Sequence, residues 1–137
     1  MNKVRICCII DDDPIFIYGT KRIMKEVNFS DTILEYNNGQ EALEELSQRS
    51  QAKELMPEVI FLDLNMPIMS GWEFLEEFKK LPIPNEKRII IYIVSSSVDP
   101  RDLERVKDFK QVDKYILKPV TPNDLEAVLG ATKNQNN

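Results

Sequence analysis

The chain has 137 residues, 42% of them hydrophobic and 30% charged, which suits one ordinary core and is too apolar for the disordered class. Its net charge is −5, and no segment gathers its Lys and Arg into a block, so the footprint of a nucleic-acid backbone is missing and no direct nucleic-acid partner is expected. It contains no histidine, which removes imidazole as a general base, as a zinc ligand and as a phosphoryl carrier.

The N-terminal stretch MNKVRICCII is too short in its apolar part for a membrane span or a signal peptide and runs straight into three acids, so no membrane is expected and the location is expected to be cytoplasmic. Residues 4–10 read as a first strand. The adjacent Cys7 and Cys8 would then point to opposite faces, where they cannot form an ordinary bridge, and are expected to be buried thiols in a reducing compartment.

Further along, residues 33–36, 59–62, 89–94 and 114–117 are short apolar runs bounded by turn or cap residues and read as four more strands. Amphipathic stretches separate them. Several open on a capping residue followed by proline, as at Asp13-Pro14, Asp99-Pro100 and Thr121-Pro122. Five repeats of strand and helix imply right-handed crossovers and a parallel sheet covered on both faces, a doubly wound α/β fold. No internal repeat of 20 to 50 residues is present, and residues 133–137 are expected to form a polar tail, with no linker to an output domain expected.

In such a sheet, ligands bind beyond the carboxyl ends of the strands, where strand order reverses. Asp11, Asp12 and Asp13 follow the first strand, Asp63 the third, Ser95 the fourth and Lys118 the fifth. If the first and third strands are neighbours, Asp11, Asp12 and Asp63 converge, and their repulsion calls for a cation. Oxygen ligands alone suggest Mg²⁺, with Mn²⁺ as an alternative. Asp63 would then be a nucleophile toward phosphorus, while Lys118 and the Ser95 hydroxyl would take phosphate oxygens. Asp13, before Pro14, is more simply a helix cap than a metal ligand. Ser96 and Ser97 share the chemistry of Ser95, which is distinguished by being first after the strand. Trp72 lies in a helical pattern and is expected to pack.

The segments IIDDDP, VIFLDLNMPIMSGWEFL, IYIVSSS and KYILKPV, with NNGQEAL after the second strand, resemble the signature segments of response-regulator receiver domains, of the single-domain chemotaxis-regulator type. The resemblance spans about residues 4–129. It implies the strand order 2-1-3-4-5, a receiver domain over residues 1–132, no output domain, and no enzyme activity beyond the domain's own phosphorylation and dephosphorylation. It makes Asp63 the phosphoacceptor, Asp12 a direct metal ligand and Asp11 one acting through water, with the Asn65 backbone carbonyl as a further ligand. It makes Ser95 and Lys118 the phosphate-binding pair, Tyr115 a switch aromatic, and Lys118-Pro119 a cis peptide.

By the same resemblance, the expected partners are a histidine kinase or phosphotransfer protein and an unknown downstream protein bound through the face of the fourth helix, fifth strand and fifth helix. The chain is expected to be a monomer or a phosphorylation-dependent dimer. It departs from the simplest pattern in a longer connection at 47–57 and in serine rather than threonine at 95. A phosphoryl sink or shuttle shares this chemistry and is not separable by sequence. An Asp-nucleophile phosphatase fits less well, because its DxDx[TV] pattern is absent from DDDP. A flavodoxin-like cofactor binder fits least, because acids follow the first strand where a phosphate loop would be needed.

Overall fold

A computed structural model describes residues 3–83 and 88–135, with side chains as far as residue 131. The elements in chain order are β1 (Val4–Ile10), α1 (Pro14–Glu26), β2 (Ser30–Tyr36), α2 (Gly39–Gln51), β3 (Val59–Leu62), α3 (Gly71–Phe78), β4 (Ile90–Ser95), α4 (Pro100–Arg105), a 3₁₀ turn (Val106–Asp108), β5 (Val112–Leu117) and α5 (Pro122–Gln135). The strands pair in parallel in the order β2-β1-β3-β4-β5, the doubly wound order expected.

Local chemistry sets the helix starts. The Asp13 and Asp99 carboxylates accept from Ile15 N and Arg101 N, each with proline in the first turn, and the Asn38 side chain accepts from Glu41 N. Ser70 with Glu73, and Thr121 with Asp124, close reciprocal caps. Each such cap satisfies backbone donors that the helix cannot, a contribution of about 1 kcal/mol.

Alternation along the strands divides the core in two. Cys7, Ile9, Phe61, Tyr92 and Val94 pack with Ile17 and Met24 of α1 and Leu125 and Val128 of α5. Cys8, Ile10, Ile60, Leu62, Ile91 and Ile93 pack with Ala42 and Leu46 of α2 and Phe74 and Phe78 of α3. Cys7 and Cys8 are accordingly buried free thiols on opposite faces, as the period of two requires. Phe61 centres an aromatic row, 5.9 Å from Phe29 and 5.8 Å from Tyr92 between ring centroids.

The edge strands are longer than their apolar runs. β2 begins at Ser30 rather than 33 and β5 at Val112 rather than 114, because an edge strand exposes polar positions that no hydrophobic pattern marks. The connection at 47–57 is partly helix: α2 reaches Gln51, and Lys53, at φ 58°, ends it with hydrogen bonds from Lys53 N to Ser50 O and Glu54 N to Arg49 O. α5 runs to Gln135, so the expected tail boundary at 132 falls inside a helix; residues 136 and 137 lie outside the described residues. Trp72 packs, half-buried, 6.2 Å from the Phe109 ring and under the Arg105 guanidinium at 4.3 Å. α4 itself buries no residue.

Candidate functional site

The strand order places the ends of β1 and β3 side by side. Asp11 N donates to Tyr36 O at 3.1 Å and Asp63 N to Ile10 O at 3.0 Å, so both acids are fixed by the ladder at the point where the chain reverses its direction of winding. Carboxylate oxygens of Asp11, Asp12 and Asp63 lie within 4.8 Å of one another. Asp11 is 1% exposed and Asp63 7%, while Asp12 opens to solvent. Asp13 turns away to cap α1, and its N–H donates to Asp11 Oδ1 at 2.9 Å.

Lys118 closes the pocket from β5. Its ammonium is 2.8 Å from Asp11 Oδ2 and 3.9 Å from Asp63 Oδ2, its N–H donates to Ser95 O at 2.8 Å, and the Lys118-Pro119 peptide is cis, as expected. Ser95, the last residue of β4, is buried, whereas Ser96 and Ser97 are exposed. Tyr115 on β5 neighbours Ser95; burial pushes its phenol up, and the Ser95 side chain opposes that shift.

Crowding shows in the charge balance. Burial, then the neighbouring Asp11 charge, pushes the Asp63 carboxyl up to about 6, against the opposing pull of Lys118 and the Asn65 N–H, which donates to Asp63 Oδ1 at 3.4 Å. Asp11 Oδ2 is buried and accepts no well-aligned hydrogen bond; its close partner is the Lys118 ammonium. Three carboxylates with one lysine leave net negative charge around two buried acids, and an all-oxygen donor set with a buried oxygen that accepts no hydrogen bond fits a hard divalent cation such as Mg²⁺. Asp11, Asp12 and Asp63 could hold it.

Asp11, Asp12, Asp63, Ser95, Lys118 and Tyr115, all named from the sequence, thus gather at one end of the sheet. Two participants escaped the sequence reading. Phe16 lies beneath the Lys118 ammonium at 4.4 Å, an attraction that steadies the lysine over the acids; its only sequence signal is an aromatic in the first turn of α1. Gly71 is the other: a Cβ there would stand 2.5 Å from Asp63 O and 2.7 Å from Leu64 Cα, so α3 can start against the Asp63 backbone only with glycine.

Fold and site together define a doubly wound α/β domain with an acidic, lysine-closed pocket at its topological switch point. The chain belongs to the response regulator receiver domain family, which it matches across residues 7–130. Receiver domains are signalling domains of two-component systems, and the family binds Mg²⁺ at an acidic pocket. A solved two-component response regulator from Cytophaga hutchinsonii is 31% identical, with a TM-score of 0.87 over 96% of this chain and 98% of that one. The nitrate/nitrite response regulator protein NarL of Escherichia coli (strain K12) is 31% identical over 118 residues, 85% of this chain and 49% of the relative. The chain spans about half the length of the curated relatives it matches. The Vibrio cholerae chemotaxis protein CheY4, 19% identical with a TM-score of 0.67, shares the fold.

Proposed function

We propose that this domain accepts a phosphoryl group on Asp63 and converts it into a change of binding surface. The observation that carries the reading is the buried Asp63 carboxylate at the end of β3, flanked by Asp11 and Asp12 and faced by Lys118. An Asp63 carboxylate oxygen attacks phosphorus, the bond to the donor nitrogen or oxygen breaks, and an acyl phosphate forms. Lys118 swings from Asp11 toward the phosphate and pairs with one oxygen, and the Ser95 hydroxyl donates to another. Asp11, Asp12, Asp63 and the Asn65 carbonyl would hold Mg²⁺ or Mn²⁺, which would supply positive charge against the transferred group.

The donor is a histidine kinase or phosphotransfer protein, the partners that receiver domains take. Output runs from Ser95 to its neighbour Tyr115 and on to α4, β5 and α5, where the downstream protein binds. Acetyl phosphate with Mg²⁺ tests the site: it should label the protein once, at Asp63, and labelling of Asp63→Asn to the same extent overturns the assignment.

A further inference from the structure

The backbone that follows Asp63 is gripped on two sides. Gly71 takes one, as above. On the other, a Cβ on Gly39, at the start of α2, would stand 2.9 Å from Met69 O, 3.0 Å from Met69 Cγ and 3.2 Å from Met69 Cβ. Gly39 does not have a positive φ, so the first turn of α2 would accept alanine in its own right; only the approach to Met69 demands glycine.

What that approach restrains is unusual. Ile68 has φ 71°, a conformation that branched L residues rarely adopt. Its side chain is 77% exposed, so no packing of its own holds it there. The restraint comes through Met69, whose N–H donates to Pro67 O at 2.8 Å and whose side chain packs, half-buried, on the α2–α3 core. The carbonyl of Met69 rests against Gly39, and the Met69 N–H bond to Pro67 O ties Met69 to the turn that follows Asn65.

We propose that Gly39 is a positioning residue for the Asp63 loop: lacking a side chain, it lets α2 press on Met69, which keeps Ile68 left-handed and fixes where Asn65 and Asp63 present their oxygens. This rests on the reading of Asp63 as phosphoacceptor beside a metal site. Gly39 has no side chain to offer a metal or a phosphate, so it acts only through the loop.

The test is Mg²⁺ binding by calorimetry and the rate of Asp63 labelling by acetyl phosphate in Gly39→Ala, with Gly19→Ala as control, since a Cβ on Gly19 meets nothing within 4 Å. Gly39→Ala should weaken Mg²⁺ about tenfold, the scale of lost support around a metal site, and slow labelling, while Gly19→Ala changes neither. Adding Ile68→Gly to Gly39→Ala should restore most of the loss, because glycine lets the loop yield at 68 instead of at 65. Wild-type Mg²⁺ affinity in Gly39→Ala, or no rescue by Ile68→Gly, overturns the proposal. If Gly39→Ala does not fold, the wild type decides: in an Mg²⁺ titration the Gly39 amide resonance should shift with the same midpoint as that of Asn65, and a Gly39 signal that stays still overturns it. A wild-type protein that neither binds Mg²⁺ nor takes label at Asp63 brings down the functional reading, and the positioning role with it; one that does both while Gly39→Ala matches it leaves that reading standing and removes only Gly39.

Discussion

The Lys118 ammonium lies closer to Asp11, at 2.8 Å, than to Asp63, at 3.9 Å. The lysine is thus a cation within the acidic pocket, and it neutralises the more deeply buried of the two strand-end acids.

Replacing Lys118 with methionine should therefore act in opposite directions on two measurements. Mg²⁺ should bind several-fold more tightly, because the competing cation is gone, while phosphorylation by acetyl phosphate slows because the phosphate has lost its lysine. In chelator the same variant should lose about 2–4 kcal/mol of stability, the cost of leaving a buried carboxylate without its partner. Weaker Mg²⁺ binding in calorimetry contradicts the competition.

The raised Asp63 carboxyl, at about 6 against an ordinary 3.8, has a signed consequence for stability. The folded state holds this proton more tightly than the unfolded state, so between about pH 4 and pH 6 the native form binds more protons and stability falls as pH rises. Asp63's contribution is fully present below the unfolded value and lost above about 6. In chelator, Asp63→Asn should match the wild type near pH 4 and exceed it by about 1–2 kcal/mol at pH 7, a value discounted for screening by water and Lys118. Denaturant melts of both proteins across this range check it; a gap that does not widen with pH refutes the crowding.

Asp12 is the exposed member of the acidic group, so its removal should cost the fold little and the metal much. Mg²⁺ at about a hundred times its Kd should stabilise the wild type by about 2.7 kcal/mol. Asp12→Ala should weaken binding by at least about tenfold and shrink that shift, yet leave the metal-free protein as stable or more so, since one repelling charge is gone. An unchanged Mg²⁺-dependent melting shift removes Asp12 from the ligand set.

Trp72, the single tryptophan, sits under Arg105 at the end of α4, and α4 buries no residue that would anchor it. Movement passed from Ser95 through Tyr115 to α4 should alter the Trp72 surroundings. Beryllofluoride with Mg²⁺ should change Trp72 emission in the wild type, and most of that change should vanish in Ser95→Ala even though the ligand still binds. A full response in Ser95→Ala means that the signal does not pass through Ser95.

The order of strands and helices, the two-faced core and the caps at Asp13, Asp99 and Thr121 were determined by the sequence alone, because periodicity and capping act over a few residues and leave their pattern in the chain. The charged residues after the strands could be named for a related reason: a parallel sheet sends all its carboxyl ends to one edge. Edge-strand lengths and the end of α5 were less legible, since neither is marked by an apolar run. Only the tertiary structure decided that Lys118 lies closer to Asp11 than to Asp63, that Phe16 lies beneath it, and that Gly39 and Gly71 admit close contacts to the loop carrying a left-handed Ile68. Those facts depend on how closely separate segments of the chain approach one another, and such distances are set by how the two sides of the core pack, which no local pattern encodes.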